Sequence, residues 1–150
     1  RSSLETITLP HEEFDVALSS LTFHYIKELD HIFARIYSAL VPDGVFIFSV
    51  EHPVFTAEGS PKWHYDREGN IDCWPVDRYF DEGPREAVFL GEKMTKYHRT
   101  LTGYMRALQV AGFEISSLEE PLPPVEMMNI PGMKDELRRP MMLILGARKA

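Results

Sequence analysis

The sequence predicts an α/β domain, and three observations predict it. Residues 14–20, Phe-Asp-Val-Ala-Leu-Ser-Ser, are a short apolar run between Glu12-Glu13 and a pair of serines. Residues 26–40 repeat apolar side chains at three- and four-residue steps, and residues 45–50, Val-Phe-Ile-Phe-Ser-Val, are a second apolar run. Strand, helix and strand at this spacing make a βαβ unit, with parallel strands and a right-handed crossover.

The first run carries apolar residues at both alternations, as expected of a parallel strand buried on both faces. In the helix, Ile26, Leu29, Ile32, Phe33, Ile36, Tyr37 and Leu40 form one broad stripe, with Lys27, Glu28, Asp30, Arg35 and Ser38 outside it. Pro42-Asp43-Gly44 should end that helix and turn the chain into a strand over 44–50.

Residues 54–92 lose all periodicity while gathering Phe55, Trp63, Tyr65, Trp74, Tyr79 and Phe80. They read either as an ordered excursion packing its own aromatics or as a lid over a substrate pocket. Tyr97, Leu101, Tyr104, Met105 and Leu108 return to helical spacing, with Tyr97-His98-Arg99 at the helix start and Gly112 as its C-terminal cap. Strands follow at 113–119 and 141–148, separated by Pro121, Pro123 and Pro124, with a short helix near 132–139.

The chain of 150 residues is 44% hydrophobic and 26% charged, enough for one globular domain with a core. A net charge of −7, with basic residues scattered, opposes a nucleic-acid partner. No apolar run approaches the roughly 20 residues of a membrane span. A single cysteine, Cys73, allows no internal disulfide and places the expected protein in a reducing compartment, the cytoplasm.

The stretch Phe14 to Tyr25, then Val41-Pro42-Asp43-Gly44 and the second strand, resembles the fourth-to-fifth-strand unit of class I S-adenosylmethionine-dependent methyltransferases. Ser49-Val50-Glu51-His52-Pro53, Tyr79-Phe80-Asp81-Glu82-Gly83, Lys96 to Leu101 and Glu136 to Pro140 are similar to blocks of bacterial small-molecule members. The resemblance spans nearly the whole chain.

It implies a Rossmann-like methyltransferase fold whose seven strands are ordered 3-2-1-4-5-7-6. Residues 1–150 are then a single partial domain, the C-terminal half. Its strands are 4-5-7-6 in a mainly parallel sheet with the last strand antiparallel. Residues Ser2 to Thr8 match the loop after strand three. No Gly-x-Gly occurs in the chain, so the glycine-rich cofactor loop is expected upstream. S-adenosylmethionine is the implied cofactor, with weak or no binding expected of this chain alone.

The resemblance puts Ser3 and Leu4 against the adenine, and Ser19, Ser20 and Leu21 against the methionine part of the cofactor. Relatives often carry Asp at the Ser3 position. The plainer reading of Ser19-Ser20 is a strand end capping the next helix. Glu51 and His52 follow strand 44–50 at the edge where an acceptor lies, with Pro53 holding His52 extended. They are the expected base or acceptor-binding residues, against a simple strand-end turn. His24 is a third catalytic candidate, since imidazole titrates near neutrality, or else a packed histidine. His98 and Arg99 are expected on a solvated helix face.

No metal site is expected. His52, His64 and Cys73 are separated by 11 and 8 residues, without Cys-x-x-Cys or His-Glu-x-x-His spacing. Cys73 has no local partner as a nucleophile, and no Gly-x-Ser-x-Gly elbow occurs.

The function expected of the complete protein is methyl transfer to a small-molecule acceptor. The alternative is a non-catalytic binding or assembly module that kept the fold. An unrelated flavodoxin-like domain, with its last strand parallel, is a third reading. Strand 14–20, interior in the family, would here be an open edge able to pair two copies into a homodimer.

Overall fold

A computed structural model describes residues 3–60, 62–89 and 91–150, so Ser2 of the expected loop lies outside the described residues. Strand Phe14–Ser20 (β1) leads through a 3-10 turn, Phe23–Tyr25, into helix Leu29–Ala39 (α1). Leu29, Ile32, Phe33, Ile36 and Ala39 share one face of α1 and are all buried. The helix stops before Pro42. Leu40 is already extended and opens strand Leu40–Glu51 (β2), rather than residue 44. Phe14 faces Leu40 but Val16 faces Val45, so the intervening residues bulge, with Asp43 at φ 64°.

The short helix Pro53–Thr56 (α2) follows, capped by His52. His64–Tyr65 (β3) and Ile71–Cys73 (β4) form a small hairpin. Gly83–Phe89 (β5) and Glu92–His98 (β6) form a longer one that begins inside the region without period and runs past its end. Helix Leu101–Val110 (α3) starts after Thr100, whose side chain accepts from the Gly103 N–H at 2.9 Å. Tyr97 and His98 therefore end a strand instead of starting a helix. Gly112, at φ 100°, closes α3. Strands Phe113–Glu119 (β7) and Met142–Lys149 (β8) complete the chain, with a 3-10 turn at Asp135–Arg138 in place of the expected short helix.

β1, β2, β8 and β7 form one four-stranded sheet in that spatial order. β1 runs parallel to β2, whereas β8 is antiparallel to both β2 and β7. The sheet is mixed, not mainly parallel by its pairings, because one reversed strand set inside a sheet makes both of its ladders antiparallel. That direction of β8 also removes the flavodoxin-like reading.

Both long helices pack on one face of the sheet. Phe46, Phe48 and Val50 of β2 and Leu143, Leu145 and Ala147 of β8 meet Phe33, Ile36, Tyr104 and Leu108 there. Phe23 stacks edge-on against Phe33, Phe46 and Phe48, with ring centroids 5.1–5.8 Å apart. Such aromatic pairs add about 0.5–1.5 kcal/mol each beyond burial. β1 is an edge strand, so the expected two-sided burial fails. Val16 is 58% and Leu18 77% exposed, on the sheet face opposite the helices.

Candidate functional site

The carboxyl ends of β1 and β2 lie side by side because the two strands are parallel. The chain leaves β1 through Leu21, at φ 50°, a conformation that a leucine adopts only when held. The holding bonds are visible. The Leu21 N–H donates to the Ser49 carbonyl at 2.9 Å and to its Oγ at 3.2 Å, and the Ser49 hydroxyl lies 3.5 Å from Ser20 Oγ. Beside this turn a cleft of about 480 Å³ is lined by Leu4, Val16, Ser19, Ser20 and Thr22 among others. Ser3 is exposed, and its hydroxyl bonds the Glu5 carboxylate.

At the end of β2 the structure brings His24 and Glu51 together. The Glu51 N–H donates to His24 Nδ1 at 3.3 Å. Nδ1 is thus an acceptor, and the neutral ring carries its proton on Nε2. His24 is 1% exposed, and burial, aided by the positive charge of Lys96, pushes its pKa down to about 4. The Glu51 carboxylate pairs with Lys96 Nζ at 2.6 Å through Oε1, while its buried Oε2 has no hydrogen-bond partner among the described residues. The Lys96 ammonium lies 5.8 Å from the Tyr25 ring centroid.

His52 is separated from this group in direction and in partners. Its Nδ1 accepts from the Val54 N–H at 3.0 Å, capping α2, and its N–H donates to the Met141 carbonyl. Its Nε2 lies 2.7 Å from Glu120 Oε1, within ion-pair distance though poorly aligned for a hydrogen bond. Burial lowers the His52 pKa, and Glu120 opposes that shift without cancelling it. Glu120 in turn borders a cavity of about 990 Å³ between the aromatic insertion and the segment 120–142.

The β5–β6 hairpin supplies functional-site neighbours that sequence periodicity missed. Its inward positions are Arg85, Ala87, Lys96 and His98. Arg85 donates to the carbonyls of Ala57, Arg78 and Asp81 at 2.8, 3.2 and 2.6 Å. His98, expected on a solvated face, is fully buried. Its Nε2 faces the Tyr79 carbonyl at 2.9 Å and must donate, so its Nδ1 accepts from the Thr56 hydroxyl at 2.8 Å. Arg99 donates to the carbonyls of Ile26 and Lys27, both at 2.6 Å.

The aromatic residues of the insertion close around Arg139. Its guanidinium carbon stands 4.3, 4.8 and 5.1 Å from the ring centroids of Trp74, Phe55 and Trp63, while Glu136 takes both terminal nitrogens. A signal for this cage was present in the paired tryptophans and Arg138-Arg139, but their partnership was not. His64 and Cys73 are cross-strand neighbours, yet among the described residues no group of three His, Cys, Asp or Glu side chains is placed to hold a metal ion. No helix among them is long and apolar enough to cross a membrane.

A family model described as a methyltransferase domain matches residues 1–48. A protein from Listeria monocytogenes, provisionally assigned as an S-adenosylmethionine-dependent methyltransferase, superposes with a TM-score of 0.93 at 49% identity, over 99% of this chain and 67% of its own. An S-adenosylmethionine-dependent methyltransferase from Mesorhizobium loti does so with a TM-score of 0.90 at 40% identity, over 99% of this chain and 68% of its own. An uncharacterized protein of Haemophilus influenzae is 33% identical over 143 residues, 94% of this chain. The chain spans 56% of the length of that curated relative.

Proposed function

The chain belongs to the family of S-adenosylmethionine-dependent methyltransferases, and from that premise we propose that it forms one half of a methyl-transfer site for a small-molecule acceptor. The observation that carries this reading is the cleft beside β1, which gathers Leu4, Ser19 and Ser20 at a strand end held open by the Leu21 turn. In open α/β sheets ligands bind beyond the carboxyl ends of strands, where the winding reverses. On the family template β1, β2, β8 and β7 are strands four, five, seven and six, and β1 is one wall of that crevice.

The residues present fit the cofactor on one side. Leu4 offers an apolar surface to a flat base, and Ser19, Ser20 and Leu21 offer hydroxyl and backbone groups to an amino acid. No Gly-x-Gly stands opposite them within the 150 residues, so this chain alone binds the cofactor weakly or not at all. When bound, S-adenosylmethionine supplies a methyl group activated on a sulfonium sulfur.

Proton handling falls to carboxylates in this reading. The Nδ1 atoms of His24 and His52 are occupied by backbone N–H groups. These imidazoles orient their neighbours, and Glu51, whose buried Oε2 has no hydrogen-bond partner among the described residues, is the candidate base. The lone exposed Cys73 suits a cytoplasmic protein. For the 150-residue chain by itself the open edge of β1 suits a homodimer, and its sedimentation as a monomer at high micromolar concentration would remove that part of the proposal.

The test titrates S-adenosylhomocysteine, by calorimetry, into this chain and into the chain joined to the part of the Listeria relative that it does not cover. Saturable binding by the joined protein alone is expected. Binding by neither folded protein sinks the methyl-transfer reading and favours a non-catalytic module. Binding by the 150-residue chain alone sinks the half-site claim.

A further inference from the structure

The cavity of about 990 Å³ lies against the end of β2 but outside the cofactor cleft. One wall carries Trp63, Tyr65 and Ile71 from the aromatic insertion, and the other carries Leu122, Met141 and Met142. Ligand sites have this character, a mainly apolar concavity with a few placed polar groups.

Charge decides what the cavity prefers. Its two guanidiniums are already engaged. Arg139 is held by Glu136 at 2.7 and 3.1 Å and by three aromatic rings. Arg138 is held by Asp135 at 3.4 Å and by the carbonyls of Ile71 and Asp72 at 3.3 and 2.6 Å. Asp135 and Glu136 are spent in the same pairs. Glu120 differs from both, because its neighbour is the imidazole of His52. That ring is 2% exposed and anchored through Nδ1 to Val54. Its Nε2 therefore bears the proton and stands 2.7 Å from the carboxylate, a neutral neighbour that leaves the charge of Glu120 uncancelled. The Glu120 side chain is 50% exposed and lines the cavity.

We propose that this cavity is the acceptor subsite and takes an apolar, ring-bearing molecule with an ammonium group, which the Glu120 carboxylate receives. The proposal rests on the methyl-transfer reading and names its acceptor class. Glu120 is the ligand-contacting residue, and His52 is a positioning residue that acts through it.

Three probes of one shape separate the possibilities: phenethylamine, 2-phenylethanol and 3-phenylpropionate. Each is titrated into the full chain while the Trp63 indole N–H signal is followed by nuclear magnetic resonance. Phenethylamine should saturate and shift that signal, and Glu120→Gln should weaken it about tenfold or more, the usual scale for a charge-assisted hydrogen bond. Glu120→Asp should restore part of the loss. His52→Gln should weaken the amine and leave the alcohol unchanged, which a general loss of packing would not do. Equal binding of amine and alcohol, preference for the propionate, no saturation, or amine binding indifferent to Glu120→Gln would each overturn the proposal. Thermal melting of every variant checks folding. None of these measurements uses S-adenosylhomocysteine, so a failure here leaves the cofactor titration to judge the methyl-transfer reading separately.

Discussion

Lys96 Nζ stands 2.6 Å from Glu51 Oε1, on side chains only 7% and 13% exposed. Taking two charges from water costs more than their attraction returns unless both stay paired. Lys96→Met should therefore destabilise the protein by about 3 kcal/mol, since it leaves a buried carboxylate alone. Adding Glu51→Leu should recover most of that loss. Urea unfolding of the two single variants and the double variant measures the coupling, and additive losses would show that the pair contributes nothing as a pair.

Acid should weaken the fold through its buried imidazoles. The His24 value near 4 lies below the 6.5 of an unperturbed histidine. Between those values the unfolded chain takes up a proton that the folded chain refuses, so stability falls as pH drops from 6.5 toward 4. The contribution is complete above pH 6.5, and its loss reaches about 3 kcal/mol for His24. Burial lowers His52 and His98 in the same direction. His24→Asn keeps an acceptor for the Glu51 N–H and removes one titration. Its stability should fall less steeply between pH 6.5 and 4.5 than that of the unaltered protein, and parallel slopes would refute the assignment.

Arg139 joins two loops that share no regular structure. Arg139→Lys keeps the charge but loses the planar fork and its stacking on three rings. A loss of about 1–2 kcal/mol is expected for cation–π contacts of this burial. Tryptophan emission should shift to the red and cleavage within 120–140 by a dilute protease should accelerate. Unchanged emission would mean that the rings hold their places without the guanidinium.

Gly103 sets helix propensity against a capping network. Alanine in a helix interior is worth about 1 kcal/mol over glycine. A Cβ at Gly103, however, meets the Glu82 carboxylate oxygen, which accepts from the Thr100 hydroxyl at 2.7 Å and its N–H at 2.8 Å. Gly103→Ala should therefore destabilise in the native background. In a Glu82→Ala background it should stabilise by up to about 1 kcal/mol. Thermal melts of the four proteins check the reversal of sign.

The parts legible in the sequence were those where apolar side chains face inward. α1 shows this through Leu29, Ile32, Phe33 and Ile36, and β2 through Phe46, Phe48 and Val50. The β5–β6 hairpin was illegible because its inward residues are polar. Lys96 and His98 are buried while Tyr97 between them is less so, which inverts the usual strand alternation. Leu101 and Tyr104 do belong to α3, and Tyr97 falls in helical step with them by spacing alone while ending β6. The composition of β1 is that of an interior strand and pointed to two-sided burial, whereas its open edge followed only from the family's strand order, because nothing local records which neighbours a strand has.

The same division holds at the site. Glu51 and His52 could be found from their position just past an apolar strand. Lys96 lies 45 residues from its partner, and Glu120 sits among prolines with no period. Strand alternation and their separate anchors then send Glu51 and His52 to different partners, which adjacency in sequence had concealed.

The place of β8 between β2 and β7 governs the order in which this sheet can assemble. Among the described residues β7 has β8 as its one sheet neighbour, and β8 follows it after more than twenty residues of loop and 3-10 turn. Until Met142–Lys149 inserts, β7 has no ladder to join, while β1, α1 and β2 can already collapse around Phe23 and Phe33. Folding should thus show an early phase confined to residues 14–51 and a late phase in which two ladders zip together around one strand. Long-range pairing of that kind is slow, and stopped-flow hydrogen exchange would find β7 and β8 acquiring protection simultaneously, after β1 and β2.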